Sequence, residues 1–218
     1  RSSAASDVYK RQAMTMRGSK MSAVFEMLER YASIVPHKQP DLEGSYYELI
    51  KTGNPVISPR SLCLNVVNED ISRQYGFEPY SDEKIYRWSK TTNLTDEKEY
   101  YLPEQVMYYD GQLISGEKRF IYETSNGCAM GGNYEEAVIY ALLELVERDA
   151  FLMHWYNRIA PVQFDISSIH NQGLLNIVEY MTCIGYEIRV MNITMETKIP
   201  AIWISAIDNT IKKSKTLN

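Results

Sequence analysis

The chain has 218 residues, of which 44% are hydrophobic and 23% charged, a composition typical of a globular protein with a substantial core. A net charge of −5 argues against a nucleic-acid partner, whose binding surface is basic, and no apolar run is long enough to span a bilayer. The start lacks the apolar core of a signal peptide, so a cytoplasmic location is expected. Cys63, Cys128 and Cys183 form no C-x-x-C pair, which indicates reduced thiols.

The first predicted element is a helix that carries an A-x-x-E-x-x-E-R motif made of Ala23, Glu26, Glu29 and Arg30. At about 100° of rotation per residue, Ser22 and the two glutamates form a narrow polar stripe among apolar residues. We therefore expect the helix to bury its apolar face and to present Ser22, Glu26 and Glu29. The alternative is a solvated helix in which Glu and Arg form ordinary ion pairs three or four residues apart.

The next segments alternate in predicted type. Residues 41–51 and 65–75 have helical spacing, and residues 85–89 and 100–109 are typical of strands because they are rich in Tyr, Val and Trp. A Gly-rich stretch at residues 125–133 then leads into a helix start. Glycines allow close backbone approach to a ligand, and the free N–H groups of a helix N-terminus favour an anion. The Lys-Ser/Thr ending of a P-loop is absent, and a plain turn remains the alternative.

The helix after this loop repeats the motif as Ala141, Glu144, Glu147 and Arg148, with Glu136 on the same side. Because the helix is apolar nearly all round, we predict that it is buried together with its acids. A buried carboxylate needs a compensating partner, and clustered Glu without His or Cys suits Mg²⁺ bound to phosphate. The alternative, again, is a set of ion pairs along the helix.

The remaining segments predict a helix at residues 173–182 and strands at residues 186–193 and 199–207. No low-complexity linker separates any of these elements. The pattern as a whole predicts one α+β domain.

These motifs resemble a known family. SNGCAMG at residues 125–131, EEA at 135–137, ELVERDAF at 144–151 and WYN at 155–157 resemble the signature of the YcaO family, and SAVFEMLERY at 22–31 resembles that family's other nucleotide-binding helix. The resemblance implies a single YcaO-type α+β domain with mixed sheets and packed helices. It also implies an enzyme that phosphorylates a peptide amide oxygen with ATP while a nucleophile adds to the same carbonyl carbon.

The resemblance also implies a set of site residues, carried over by position. The implied Mg²⁺ ligands are Glu26, Glu29, Glu136, Glu144 and Glu147. The implied contacts to the nucleotide come from Ser22, Arg30, Ser125, Asn126 and Arg148. One departure is Gly132, where the family commonly has Asn, and Asn133 lies one place away.

Domain bounds follow from the same comparison. Residues 1–12, RSSAASDVYKRQ, resemble a translated sequencing-adapter artefact and are excluded from the fold prediction. Residues 13–218 are expected to be a partial YcaO domain truncated at its C-terminus, because the sequence ends just after a predicted strand where the family continues.

Three functions are compatible with the resemblance. The first is cyclodehydration of Cys, Ser or Thr to azolines, the thiazole and oxazole precursors of a ribosomally made peptide natural product. The second is thioamide formation with sulfide, and the third is a non-catalytic accessory or leader-binding module. The implied partners are a precursor peptide and a leader-binding, E1-like or TfuA-like protein, with a homodimer as a further possibility and neither nucleic acid nor membrane as a partner.

Overall fold

The computed structural model describes residues 16–34, 39–62, 76–109, 118–121 and 124–209. The chain divides into two compact units, residues 1–130 and residues 131–218, and each is described by itself. Each unit combines helices with a three-stranded antiparallel sheet, so the predicted α+β class is confirmed. No helix in the described ranges is both long and apolar enough to cross a membrane.

The first unit contains three helices, three strands and a short 3-10 helix among its described residues. In chain order they are α1 (Met16–Ala32), β1 (Leu42–Gly44), α2 (Tyr46–Lys51), the 3-10 helix (Pro59–Leu62), β2 (Tyr86–Thr92), β3 (Glu99–Pro103) and α3 (Glu104–Met107). The strands lie in the order β1-β2-β3, with β2 in the centre.

The core of the first unit is built on β2, where side chains alternate between the two faces of the sheet. Tyr86 and Trp88 are 1% and 0% exposed and pack with Leu49 and Phe120. The indole Nε1 of Trp88 donates a hydrogen bond of 2.9 Å to the Gly44 carbonyl on β1, so this buried donor is satisfied. This core fixes the sheet and the segments attached to it.

Two predictions for the first unit need correction. Residues 41–51 are not one helix, because β1 precedes α2. Ser45 starts α2 by a capping box, in which its hydroxyl accepts from the Glu48 N–H and its own N–H donates to the Glu48 carboxylate. Residues 100–109 are not one strand, because β3 ends at Pro103, and Glu104, buried at the start of α3, accepts from Arg87.

Of two other predictions for this unit, one is confirmed and one is not tested. The strand predicted at residues 85–89 is confirmed as β2. The helix predicted at residues 65–75 lies outside the described residues.

Helix α1 is present, but its predicted burial is reversed. No residue of α1 is fully buried. The half-buried side is the polar one, which includes Ser22, Glu26, Glu29 and Arg30. The exposed side is apolar and includes Met21, Val24, Phe25, Met27 and Leu28. One described contact on the polar side is the hydrogen bond that Arg30 donates to the Tyr109 hydroxyl.

The second unit contains α4 (Tyr134–Asn157), β4 (Val162–Gln163), a 3-10 helix (Ile166–Ser168), α5 (Gln172–Cys183), β5 (Tyr186–Asn192) and β6 (Ile202–Asp208). The helix predicted at residues 173–182 and the strand predicted at 186–193 are confirmed. The last predicted strand begins later, at Ile202, because the N–H of Ala201 is bonded to the Thr194 hydroxyl in the connecting loop.

Helix α4 is far more exposed than predicted. Only Ala150 and His154 are buried, and Leu142, Leu143 and Leu145 are each more than two-fifths exposed. Its 24 residues make a helix about 36 Å long. The described core of this unit meets the helix at Ala150, which packs with Ile193 and Ala201.

Candidate functional site

The predicted site residues of α1 lie on its half-buried polar side. The Glu26 side chain is only 12% exposed, and its Oε1 lies 3.8 Å from Nη2 of Arg30, whose side chain is 33% exposed. Ser22 and Glu29 are half-buried on the same side. The structure thus brings two carboxylates, one hydroxyl and one guanidinium onto one helix face.

The Arg30 guanidinium also contacts a residue that the sequence did not single out. Its Nη1 donates a hydrogen bond of 3.1 Å to the Tyr109 hydroxyl, and its central carbon, Cζ, lies 6.0 Å from the centre of the Tyr109 ring. The same hydroxyl interacts with the side chains of Ser125 and Cys128. Burial, and next the nearby Cys128 thiol, raise the pKa of Tyr109. Tyr109 therefore joins α1 to the Gly-rich loop.

The start of the Gly-rich loop is a tight turn. The Cys128 N–H donates to the Ser125 carbonyl at 3.0 Å, and Gly127 has a φ of 77°. A positive φ at the third position is what a type II turn requires, and glycine adopts it without strain. The Asn126 N–H donates to the Thr124 hydroxyl at 3.2 Å. The predicted nucleotide contacts Ser125 and Asn126 therefore occupy defined turn positions.

The N-terminus of α4 places Glu136 by three hydrogen bonds. The Asn133 side chain caps the helix by accepting from the Glu136 N–H at 2.8 Å. The Glu136 carboxylate in turn accepts from the Gly132 N–H at 2.6 Å and from the Tyr140 hydroxyl at 2.8 Å. The bond from Gly132, and next the bond from Tyr140, hold the pKa of Glu136 below its usual value. Glu136 is thus ionised and oriented at the end of the loop.

The close turn before α4 explains one glycine of the loop. A Cβ on Gly131 would lie 2.4 Å from the Ala137 nitrogen, a contact that the backbone would have to move to avoid. Gly131 therefore lets the chain fold back against the first turn of the helix.

Further along α4, Glu144 and Arg148 form the ion pair that the alternative interpretation predicted. Nε of Arg148 lies 2.9 Å from Oε1 of Glu144, and the two side chains are 49% and 30% exposed. Glu147 is exposed and lines a groove of about 380 Å³. The other residues that line it are Leu143, Val146, Ile199, Pro200, Ala201 and Ile202.

The donor atoms suit a hard cation. Each E-x-x-E-R motif offers a pair of carboxylates three residues apart on one helix face, with neither a thiolate nor an imidazole beside it. Mg²⁺ takes oxygen ligands and is usually held by one or two carboxylates together with phosphate oxygens and water. Within the ranges that the structure describes, no three or more His, Cys, Asp or Glu side chains form a group able to hold a metal ion.

Comparison with known proteins places these motifs in a family. A family model described as YcaO cyclodehydratase, ATP- and Mg²⁺-binding, matches residues 12–217. The chain belongs to the YcaO family. The predicted cofactors of the chain, ATP and Mg²⁺, are confirmed by the description of the family.

Two solved heterocyclase structures are similar to the chain. A heterocyclase in complex with substrate and cofactor is 25% identical with a TM-score of 0.75, covering 91% of this chain and 30% of that one. The heterocyclase TruD is 28% identical with a TM-score of 0.69, covering 84% of this chain and 28% of that one.

An uncharacterized protein of Methanothermobacter thermautotrophicus is 24% identical over 209 residues, which cover 94% of this chain. The chain spans 49% of the length of that relative. The roles of the individual site residues stay predictions from the YcaO motifs. Sequence reasoning missed Tyr109, which lies far from its partners along the chain, whereas the spacing of Tyr140 four residues after Glu136 could have revealed their contact.

Proposed function

We propose that this chain is the nucleotide-binding part of an enzyme that activates peptide backbone amides with ATP and Mg²⁺ and cyclises Cys, Ser or Thr residues to azolines. The observation that carries the proposal is the YcaO family match over residues 12–217. The likeness to two heterocyclases supports the azoline product in preference to a thioamide.

The contribution of the nucleotide is a phosphoryl group for the amide oxygen, which turns a poor leaving group into phosphate. The residues of the chain then act by position and charge, which is how most phosphoryl transfer is catalysed. Glu26, Glu29, Glu136, Glu144 and Glu147 would hold Mg²⁺, and this is the chemistry that their oxygen atoms suit.

The remaining site residues would hold the phosphates. Arg30 has one guanidinium nitrogen on Tyr109 and another near Glu26, so its orientation is set before the nucleotide arrives. Ser125 and Asn126 would offer turn groups to the phosphates, and Ser22 and Arg148 would do so from the two helices. Such pre-organisation is the main source of electrostatic catalysis.

A precursor peptide would be the substrate, and a leader-binding or E1-like protein would be the partner. The likeness to a heterocyclase whose structure includes a substrate supports the first of these. We also propose a cytoplasmic site of action, because Cys128 and Cys183 are free thiols, as is usual in a reducing compartment.

The test uses the full-length protein that contains this sequence, with its precursor peptide and partner, ATP and Mg²⁺. We expect phosphate release that depends on the peptide, and a mass loss of one water for each ring formed. Omission of Mg²⁺ is the control and should abolish both signals. Exchange of oxygen for sulfur in the presence of sulfide would instead identify a thioamide-forming enzyme. If neither ATP consumption nor a mass change is observed, the result would indicate the accessory module.

A further inference from the structure

Tyr109 occupies a position that the proposed function does not yet use. Its hydroxyl receives the hydrogen bond from Arg30 at 3.1 Å and interacts with Ser125 and Cys128. Two of these three partners, Arg30 and Ser125, are predicted nucleotide contacts. They come from separate segments of the first unit, and Tyr109 is a contact that they share.

The backbone of Tyr109 is fixed independently of its hydroxyl. Its N–H donates to the Ser33 carbonyl at 2.8 Å, and it pairs with Ile34 in an isolated parallel bridge directly after α1. The preceding residue, Tyr108, donates its N–H to the Glu104 carbonyl at 2.9 Å and so ends α3. The ring is therefore held at the end of α1, which carries Arg30.

The chemistry of the phenol suits an orienting role. An acid in this position would neutralise the guanidinium, as Glu26 partly does from the other side at 3.8 Å. A neutral hydroxyl accepts a hydrogen bond from Arg30 and leaves its positive charge available to an anion. Burial, followed by the neighbouring Cys128, raises the pKa of Tyr109, so the phenol stays neutral at physiological pH.

We propose that the Tyr109 hydroxyl is a positioning group for the nucleotide: it orients the Arg30 guanidinium towards the phosphates of ATP. This inference rests on the proposed function, because it takes ATP as the ligand. It assigns to Tyr109 no contact with the reacting atoms.

The test compares Tyr109→Phe with Tyr100→Phe in the full-length protein. Phenylalanine keeps the ring and removes only the hydroxyl. Tyr100 is a matched control, because its hydroxyl donates to the Asp96 carboxylate at 2.8 Å on the same unit and so also bonds a charged group. The measurements are the Kd of a non-hydrolysable ATP analogue with Mg²⁺ by calorimetry, the Tm of the ligand-free protein, and the KM and kcat for ATP.

We expect Tyr109→Phe to raise the Kd of the analogue about tenfold, the loss typical of a hydrogen bond to a charged group. The KM for ATP should rise in parallel, with a smaller change in kcat. Tyr100→Phe should leave the Kd unchanged, and the Tm of the two ligand-free variants should be similar.

A double-mutant cycle shows whether Tyr109 acts through Arg30. In an Arg30→Gln background, Tyr109→Phe should weaken analogue binding little further, because the group that it positions is gone. A full additional tenfold loss in that background would overturn the proposal.

Two further results would overturn it without affecting the proposed function. One is an unchanged Kd for Tyr109→Phe in a protein whose wild type binds the analogue. The other is a Tm far below that of Tyr100→Phe, which would make Tyr109 a structural residue. A wild-type protein that binds no analogue would overturn the proposed function itself, and the inference with it.

Discussion

At the residue scale, Glu136 shows how a carboxylate can be prepared for a ligand by its own helix end. The Gly132 N–H and the Tyr140 hydroxyl each hold one of its oxygens, and the pKa of Glu136 lies below its usual 4.5 for this reason. Because the folded pKa is the lower one, the stabilisation from these bonds is complete above pH 4.5 and is lost as the pH falls through the folded pKa.

The first prediction concerns this pair. Tyr140→Phe removes one of the two donors, so the pKa of Glu136 should rise towards its usual value, because the ionised form loses a hydrogen bond. The measurement is a pH titration of the Glu136 carboxyl ¹³C shift by NMR.

The control is Tyr134→Phe, which removes the hydroxyl of a tyrosine that is 63% exposed on the same helix. It should leave the titration of Glu136 unchanged. A Tyr140→Phe protein with the wild-type titration would show that the Gly132 N–H alone sets the charge of Glu136.

The second prediction concerns Glu144 and Glu147. In Glu144→Gln the exposed pair with Arg148 is lost, and pairs of this kind contribute only about 0.3–0.5 kcal/mol. The Tm should therefore hardly change in either Gln variant. If the two residues hold Mg²⁺, activity should fall on the order of 100-fold or more, because the charge that positions the metal is gone.

The matched control for this pair is Glu179→Gln, an exposed acid on α5 outside the predicted site. It should change neither Tm nor activity. A clear loss of Tm in the Glu144 and Glu147 variants, with the response to ATP and Mg²⁺ retained, would refute the metal-ligand assignment and leave them as structural partners.

At the element scale, the N-cap of helix α4 is Asn133. From the sequence, this residue stood out only as the neighbour of Gly132, where the family commonly has Asn. Asn133 caps the helix, and the same short segment contains Gly131 and Gly132 and leads to Glu136. The cap and the predicted ligand are therefore one local arrangement.

The third prediction follows from this cap. Asn133→Ala removes the acceptor for the Glu136 N–H and should destabilise the protein by about 1 kcal/mol, or about 2–4 °C in Tm. It should also weaken binding of ATP and Mg²⁺, because Glu136 and the Gly-rich loop lose their anchor. Thermal unfolding and calorimetry measure the two effects.

Asn171→Ala is the matched control, since Asn171 caps α5 in the same way by accepting from the Leu174 N–H at 3.1 Å. It should lower the Tm by a similar amount and leave nucleotide binding intact. Equal nucleotide affinity in both variants would show that the cap of α4 does not contribute to nucleotide binding.

The elements themselves were predictable where the signal is local. Helical periodicity gave α1, α4 and α5, and alternation gave β2 and β5, because both repeats are set by backbone geometry. The capping box at Ser45 and the turn into α3 at Pro103 were missed, because the helical or strand pattern ran through both boundaries. Tyr109 was missed because its contact with Arg30 joins residues 79 positions apart, and no local pattern encodes such a contact.

Burial was the least predictable property. An apolar surface indicates that a helix can be buried, and it does not specify what covers the helix. In α1 the polar side is half-buried and bonds Tyr109 through Arg30, and in α4 only Ala150 and His154 are buried. Both predictions of burial were wrong because burial depends on partners remote in sequence.

At the scale of the whole molecule, ligand binding should appear as stability. A ligand that binds only the folded protein stabilises it by mass action. The fourth prediction is that ATP with Mg²⁺, at about 100 times its Kd, raises the Tm of the full-length protein by about 5–10 °C. Thermal unfolding with and without nucleotide measures this change.

ATP with EDTA, and Mg²⁺ without ATP, are the two controls, and each should give a much smaller shift because metal and phosphate are held together. The complete absence of a shift in a well-folded protein would favour the accessory module over the enzyme.

The placement of the tryptophans gives each unit its own optical signal. The chain has three. Trp88, in the first unit, is 0% exposed, whereas Trp155, in the second, is 58% exposed and lies 6.1 Å from the ring of Trp203. An indole shielded from water fluoresces at shorter wavelength than a hydrated one. Trp203, also in the second unit, is partly buried, so the blue edge of the intrinsic emission comes mainly from Trp88 and the red edge mainly from Trp155. The unfolding of each unit can therefore be followed at the two edges without any attached dye.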